Sequence, residues 1–285
     1  MSQKILVTGA TGKIGSELVK LIASNNLPAR IAVRDIEKLG IKANENLDIV
    51  NFSFENRHLY EEIFKDVDKL FLLVPSLHSS FNDIIERMVH QAKLAEVKKV
   101  VFVSAMGTED ADESELLQAE MHISFSGLNY IFLRPNWFMQ NFNTYYLKDI
   151  KEKGKLMLPC GDAPISFIDT RDIAKAAFGA LLKDNLNNIG VTLTGPDSLN
   201  FEDVAEILSN AIGKKIEYES ISDEHYKELL VEQGYDKTSA RSMVWLYQAV
   251  RRGEAAPVSN NILKMGDIDR IDFKTYANDY RNYWL

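Results

Sequence analysis

The sequence predicts a doubly wound α/β fold, in which helices cover both faces of a parallel sheet, followed by a smaller and mainly helical C-terminal lobe. Six short apolar runs occur in the first half of the chain, and helical patterns separate most of them. Nearly continuous apolar strands are typical of a parallel sheet, because its crossover connections place helices on both faces. After residue 195 the strand patterns give way to helical ones.

The predicted strands of the sheet are short runs of mostly apolar residues. They are residues 5–8, 31–33, 47–52, 70–74, 100–104 and 130–133. The clearest helix between them shows apolar residues at helical spacing, with charged residues on the other side. Its apolar positions are Phe81, Ile84, Ile85, Met88, Val89, Ala92 and Ala95. The alternation of strands and helices predicts a sheet-based domain over residues 1–195.

The C-terminal part has a different pattern. Gly195-Pro196 interrupts the chain, and Asn200 with Asp203 could cap a helix that runs to about residue 212. A short strand-like piece over 215–219 precedes helical stretches near 223–233, 237–252 and 273–283. We therefore expect residues 196–285 to form a smaller, mainly helical lobe.

Composition excludes several classes of protein. The net charge is −8, and no cluster of lysine and arginine could neutralise a row of phosphates, so we expect no nucleic-acid partner. No uncharged stretch approaches the length that a membrane span requires. The chain begins without the apolar segment of a signal peptide, and its single cysteine, Cys160, has no intrachain partner. A cytoplasmic location is the expectation.

Three glycines lie between the first predicted strand and the helix that follows it. Gly9, Gly12 and Gly15 allow a tight turn, a close approach of backbone to pyrophosphate, and close packing of helix on strand. The helix N-terminus then offers N–H groups to the anion. A Walker-type loop is excluded, because it would need glycine where Val7 stands and serine or threonine where Ile14 stands. The motif predicts a dinucleotide site.

The end of the second predicted strand bears on the choice of nucleotide. Arg34 comes first after the strand, and Lys38 follows one helical turn later. A guanidinium and an ammonium there could flank the 2′-phosphate of NADP. Asp35 could instead bind a ribose hydroxyl and favour NAD, and the cations could simply be solvated. We expect NADP, with NAD as the alternative.

Two later segments complete a resemblance to a known family. They are "SGLNYIFLRPNWFMQNF" at residues 126–142 and "ISFIDTRDIAKAA" at residues 165–177. With the glycine loop, Val33-Arg34-Asp35 and the end of the fifth strand, they resemble the NmrA-like branch of the atypical short-chain dehydrogenases/reductases. The resemblance covers residues 1 to about 220. It implies a Rossmann fold that binds NAD(P)(H), with residues 196–285 as a small lobe that closes over the cofactor and caps the substrate. Known members of the group are NADPH-dependent quinone reductases, plant aromatic reductases and nucleotide-sensing regulators.

The resemblance assigns roles residue by residue. It implies a pyrophosphate loop of Gly9, Ala10, Thr11, Gly12, Lys13, Ile14 and Gly15, and an adenosine-phosphate pair of Arg34 and Lys38. It implies further cofactor contacts at Phe54, beside the adenine, and at Val74, Pro75, Ser104, Ala105, Pro135 and Asn136. It implies a substrate pocket of Trp137, Phe138, Met139 and Asn141. Without the resemblance, the aromatic and methionine positions could equally be core.

The pattern of the superfamily breaks at its catalytic pair. Typical members use Tyr-x-x-x-Lys, in which the lysine lowers the pKa of the tyrosine so that it can exchange a proton. None of the 11 tyrosines here has lysine four residues on, and the two positions fall at about Asp112 and Leu116. Ser104 on its own does not make a catalytic site. The five histidines show no spacing suited to a metal. We therefore assign no catalytic residue and no metal.

Three functions differ in how well they tolerate the absence of the catalytic tyrosine and lysine. A quinone needs only hydride and a proton from water, so NADPH-dependent reduction of a quinone-like or other small carbonyl acceptor is the leading hypothesis. The alternative is a non-catalytic NADP(H) sensor that acts on a regulatory protein partner, for which the loop at 106–115 is a candidate moving part. A nucleotide-sugar epimerase is third, because it would need a base that the sequence lacks.

Overall fold

Seven parallel strands form the main sheet of the chain. The structure, a computed structural model, describes residues 3–75, 78, 80–111 and 114–285. The strands are β1 (Ile5–Val7), β2 (Ala29–Val33), β3 (Leu47–Asn51), β4 (Lys69–Leu72), β5 (Lys99–Val103), β6 (Asn129–Pro135) and β8 (Ile189–Leu193). Their order across the sheet is β3-β2-β1-β4-β5-β6-β8. The doubly wound α/β prediction is confirmed.

Helices cover both faces of this sheet. On one face α1 (Gly15–Ser24) packs beside α6 (Thr170–Leu182). On the other face lie α2 (Tyr60–Phe64), α3 (Phe81–Leu94) and α4 (Glu115–Phe125), over a core that contains Leu70, Met88 and Phe102. The predicted stripe of α3 is buried at six of its seven positions, because the crossover turns that stripe towards the strands.

Three buried cations stand at the amino ends of central strands. Arg30 donates to the carbonyls of residues 62, 63 and 65, where α2 ends, and pairs with Asp48 at 2.7 Å. Lys69 donates to Leu181 O at 2.7 Å, and Lys99 donates to Ala180 O and Leu186 O, so both reach the end of α6. Cations stabilise a helix C-terminus, whose last carbonyls lack intrahelical partners.

By its internal contacts the chain forms two units, and each is assembled from three segments. The first comprises the described residues of Met1–Pro135, Thr170–Leu193 and Asn261–Ile268, and holds the main sheet. The second comprises Asn136–Asp169, Thr194–Asn260 and Asp269–Leu285. Residues 136–169 thus belong to the second unit, whereas the predicted division at residue 195 groups them with the sheet.

The second unit is mainly helical. Its helices are α5 (Leu147–Lys153), α7 (Phe201–Ile212), α8 (Asp223–Glu232), α9 (Lys237–Arg251) and α10 (Phe273–Tyr280), and a parallel pair joins β7 (Lys155–Leu158) to β9 (Glu217–Ser220). A cluster of buried aromatic rings forms its core, with the Phe142 ring within 6.0 Å of those of Phe167, Phe201 and Phe273. Cys160 is fully buried in the same core. Burial raises the pKa of its thiol far above the usual range.

The elements of this unit agree closely with the sequence patterns. Asn200 and Asp203 form the expected reciprocal cap at the start of α7, which ends at Ile212. The helical stretches correspond to α8, α9 and α10. Among the described residues, no helix has both the length and the apolar character needed to cross a bilayer.

Candidate functional site

The strand order of the main sheet reverses between β1 and β4. In open α/β sheets, ligands bind outside the carboxyl ends of the strands at such a switch point. The Thr8 hydroxyl joins the two strand ends. Its oxygen lies 3.2 Å from both Phe71 O and Leu73 O, to one of which it donates, and it accepts from Leu73 N at 3.0 Å. It therefore fixes the start of the glycine loop. Its role was not predicted, because a threonine at a strand end has no distinctive pattern.

Two glycines of the loop meet requirements that other residues would violate. Gly9 has a positive φ of 65°, and a Cβ there would lie 2.9 Å from Leu73 Cδ2. A Cβ on Gly15 would overlap the carbonyl oxygen of Gly9 and lie 2.7 Å from its carbonyl carbon. Gly12 is exposed and donates its N–H to Gly9 O at 3.0 Å. A side chain at Gly9 or Gly15 would therefore collide with Leu73 or with the loop itself, so the tight turn requires glycine at both positions.

Helix α1 starts at the end of this loop, directly after an apolar residue. Ile14 precedes the helix and has no side-chain group that could cap the N–H groups of the first turn. Such a helix start attracts an anion through its backbone donors and its dipole. Lys13 adds an ammonium at the same place, and partial burial lowers its pKa to about 8. The neighbours Ala10, which is buried, and Thr11, which is exposed, complete the loop.

The residues after β2 form a short turn with exposed cations. Arg34 is exposed, and its carbonyl accepts from Asn51 Nδ2 at 2.9 Å. The Asp35 carboxylate accepts from Glu37 N at 3.1 Å, and lies 3.5 Å from the ammonium of Lys38. Asp35 thus caps the turn with the group that NAD selectivity would require. Both predicted cations stand at the carboxyl end of β2.

Phe54 follows β3 and is held by an aromatic cluster. Its ring lies 5.5 Å from that of Phe52 in an edge arrangement, and the Tyr60 hydroxyl donates to its carbonyl oxygen at 2.9 Å. The next residue, Glu55, contacts His78 Nε2 at 3.0 Å, and that hydrogen bond holds the pKa of Glu55 below its usual range. The loops after β3 and β4 are therefore joined beside Phe54.

The residues after β4 and β5 lie at the same edge of the sheet. Val74 is buried and Pro75 is exposed. Ser104 is buried, and its hydroxyl donates to Thr108 Oγ1 at 3.2 Å, while Thr108 donates to Ala105 O at 2.8 Å. The hydroxyl of Ser104 therefore has a structural partner within its own turn.

An ion-pair cluster holds the turn after β5. Arg134, on β6, binds both carboxylate oxygens of buried Glu120 at 3.0 and 2.6 Å, and it reaches Glu109 at 3.0 Å. The pairing raises the pKa of the guanidinium, mainly through Glu120. Glu109 is thus anchored, although it lies in the loop at 106–115 that the sequence suggests as a candidate moving part.

The positions of the missing catalytic pair fall near α4. Position 116 carries leucine, and Leu116 packs against the core of the first unit. Asp112, the other position, lies outside the described residues. Among the described residues, no group of three acidic, histidine or cysteine side chains could hold a metal ion.

Pro135 ends β6, and Asn136 is the first residue of the second unit. Asn136 is 6% exposed, and its Nδ2 donates to Ser166 Oγ at 2.7 Å and to Ala255 O at 2.8 Å. The fully buried Ser166 hydroxyl in turn donates to Pro257 O at 2.8 Å. This network fixes the backbone from which the predicted pocket residues follow. Neither Ser166 nor Ala255 was singled out from the sequence, because their neighbours are distant in the chain.

The segment from Trp137 to Met139 runs beside Ile168. Ile168 N donates to Trp137 O, and Met139 N donates to Ile168 O, each at 2.9 Å. The Trp137 and Phe138 side chains are partly exposed, while Met139 is 1% exposed within the core. Trp137 and Phe138 therefore offer surface to a ligand, and Met139 offers almost none.

The polar residues that follow this segment are held in place. Asn141 N donates to Phe138 O at 3.1 Å, and buried Gln140 donates to the carboxylate of fully buried Asp169 at 2.9 Å. Neither Gln140 nor Asp169 was predicted from the sequence. The only signal was that each stands in one of the two segments that carry the resemblance.

The parallel sheet with a glycine loop at its switch point defines the class of Rossmann-fold proteins. Within that class, the chain belongs to the NmrA-like family, whose sequence profile matches residues 1–269. It is 30% identical over 277 residues to an NAD(P)H azoreductase of Xenophilus azovorans, with 96% of each chain covered. It is also 26% identical to the prestalk A differentiation protein A of Dictyostelium discoideum, covering 96% of this chain and 91% of that protein.

Solved structures agree on the fold. An NADPH-dependent quinone oxidoreductase of Escherichia coli superposes with a TM-score of 0.87 at 19% identity, covering 98% of this chain and all of the other. The triphenylmethane reductase of Citrobacter sp. complexed with NADP(H) gives a TM-score of 0.84 at 24% identity, covering 96% and 99%. At this level of identity the two structures establish the Rossmann fold of the chain and nothing narrower.

Proposed function

We propose that the chain is an NADPH-dependent reductase of flat, quinone-like acceptors that works without a side-chain proton donor. The observation that carries the proposal is the glycine loop, in which Gly15 admits no Cβ and α1 starts directly after Ile14, whose apolar side chain makes no cap. The relationship to an NAD(P)H azoreductase supports it, since azo compounds and quinones are both planar electron acceptors.

The residues of the first unit fit the cofactor. The backbone from Gly9 to Gly15 would receive the pyrophosphate, with Lys13 adding positive charge. Arg34 and Lys38 would bind the 2′-phosphate, which favours NADPH over NADH because Asp35 already caps a turn. Phe54 would lie beside the adenine, with Val74, Pro75, Ser104 and Ala105 under the rest of the cofactor.

The proposed reaction requires few chemical groups from this chain. The bound cofactor would supply a hydride to one carbonyl oxygen of the quinone and be oxidised to NADP⁺. The acceptor then becomes an aromatic phenolate, which takes its proton from water, so the missing tyrosine and lysine are not required. The task of Trp137 and Phe138 is to hold a flat ring in position, and orientation of this kind supplies a large part of the rate.

The test is NADPH oxidation in the presence of benzoquinones, naphthoquinones and azo dyes, with NADH beside it. We expect saturable turnover with at least one acceptor. Arg34→Glu should weaken NADPH binding by at least tenfold, about 1.4 kcal/mol, and leave NADH binding nearly unchanged. Arg57→Glu, which reverses an exposed charge in the same unit, is the control.

The outcomes separate the two classes of function. An equal loss of NADPH and NADH binding in Arg34→Glu would contradict the 2′-phosphate role. If NADPH binds tightly but no acceptor consumes it, the reductase proposal fails and a sensor of the NADP(H) state becomes the better description. The search would then turn to regulatory protein partners.

A further inference from the structure

A pair of buried tyrosines lies behind Trp137 in the second unit. The Tyr247 ring, on α9, lies 4.9 Å from the Trp137 ring and is tilted by 48°. Tyr247 is fully buried, whereas Trp137 is partly exposed. One side of the indole is therefore backed by a fixed ring, and part of its remaining surface is exposed to a ligand.

Hydrogen bonding and packing fix the Tyr247 ring. Its hydroxyl lies 2.6 Å from that of Tyr146, which precedes α5. The Tyr226 ring on α8 meets it edge-on at 5.1 Å, with an angle of 88°. Burial raises the pKa of Tyr146 and Tyr247 well above its ordinary value, so both stay neutral and one hydroxyl donates to the other. Neither is suited to release a proton during turnover.

The backbone around Trp137 is held separately from its side chain. Hydrogen bonds to Ile168 on both sides fix the main chain of residues 137–139. What remains to be set is the orientation of the indole. Among the described residues, Tyr247 is the aromatic side chain whose ring contacts it. Because aromatic pairs prefer particular tilts, a Tyr247 ring of fixed plane favours one orientation of Trp137.

We propose that Tyr247, held by the hydroxyl of Tyr146, is a positioning residue that orients Trp137 against the flat acceptor. This proposal rests on the reductase function proposed above. Removing either hydroxyl leaves the other buried without that hydrogen bond, and the ring shifts to relieve the cost. Trp137 then loses its fixed tilt, while the cofactor loop in the first unit keeps its own contacts.

The experiment compares Tyr146→Phe with Tyr218→Phe. Tyr218 is the matched control, because its hydroxyl also donates in this unit, to Gly161 O at 2.9 Å, but no ring contact joins it to Trp137 among the described residues. With menadione as acceptor, Tyr146→Phe should raise KM by about threefold or more, while kcat and the Kd for NADPH change less than about twofold. Tyr247→Phe should reproduce this split, and Tyr218→Phe should not.

A second readout does not depend on turnover. The fluorescence of Trp137, taken as the difference between each protein and its Trp137→Phe version, should become more accessible to acrylamide in Tyr146→Phe but not in Tyr218→Phe. Unchanged fluorescence, or the same KM in both variants, would overturn the proposal. If the wild type reduces no acceptor, the reductase function fails, and the fluorescence comparison still decides whether Tyr146 fixes the indole.

Discussion

Lys13 links the phosphate loop to pH. Partial burial lowers the pKa of its ammonium to about 8 in the free protein, and an anionic cofactor beside it would raise that pKa again. The contribution of Lys13 to affinity is therefore complete below about pH 8 and is lost as pH rises through the pKa of the complex. We expect the Kd for NADPH, measured by titration calorimetry, to increase steadily above about pH 8.

The variant Lys13→Met separates this effect from other titrations. It should bind NADPH more weakly at pH 7 and lose the dependence on pH in the alkaline range. A wild-type affinity that stays constant up to pH 10, or a variant with the same slope as the wild type, would show that Lys13 does not contact the phosphates.

Gly12 offers a second test at a single residue. A Cβ there would lie 3.2 Å from Gly9 O, and the position is exposed. A valine would place its branches where the pyrophosphate is expected, so Gly12→Val should weaken NADPH binding by at least about tenfold. Because the site is exposed, the thermal unfolding midpoint should stay close to that of the wild type.

The control for Gly12 is a glycine outside the loop. Gly266 is also in the first unit, and its nearest neighbour to an added Cβ is 4.0 Å away. Gly266→Val should leave the Kd for NADPH unchanged. Equal affinity of Gly12→Val and the wild type would remove the phosphate loop from the proposed function.

At the scale of elements, two adjacent lysines have different roles. Lys99 is buried and caps a helix end, whereas Lys98 is exposed and forms a surface ion pair. Lys99 donates to carbonyls at the end of α6, and its side chain is 3% exposed. Lys99→Met leaves those carbonyls without their donor, and we expect a loss of about 1–3 kcal/mol in the free energy of unfolding by urea. Lys98 is exposed and pairs with Asp68 at the surface, so Lys98→Met should cost much less. Similar losses for both variants would contradict the capping role.

The pattern of helices and strands could largely be predicted from local periodicity. α3 and the capped start of α7 carried signals within a few residues, and the structure confirms both. β8 was missed because Gly190 interrupts its apolar run. That glycine has a tertiary cause, since a Cβ there would lie 2.7 Å from Cζ of Arg134. A window of sequence contains no information about a guanidinium 56 positions earlier.

At the scale of the whole molecule, the sequence predicts the secondary structure of each unit better than it predicts which residues belong to that unit. The helical character of the C-terminal part was visible, but the second unit also takes in residues 136–169. That segment joins it through contacts such as Asn136 with Ala255, which are 119 residues apart. Pairings of this kind follow from the closed fold and leave no periodic trace. The candidate cofactor residues come from the resemblance and stay predictions, whereas Thr8 and Ser166, whose hydroxyls hold the loops, have no signal in the sequence.

The position of Cys160 makes it possible to measure how often the core of the second unit opens. It is the only cysteine in the sequence, and it is fully buried in the hydrophobic core of the second unit. Since only an exposed thiolate reacts, a disulfide reagent can modify the native protein only when that core opens. The rate of modification therefore counts the openings of one unit without any introduced label. Repeating the measurement with NADPH present would tell whether the bound nucleotide lowers the rate at which Cys160 is modified.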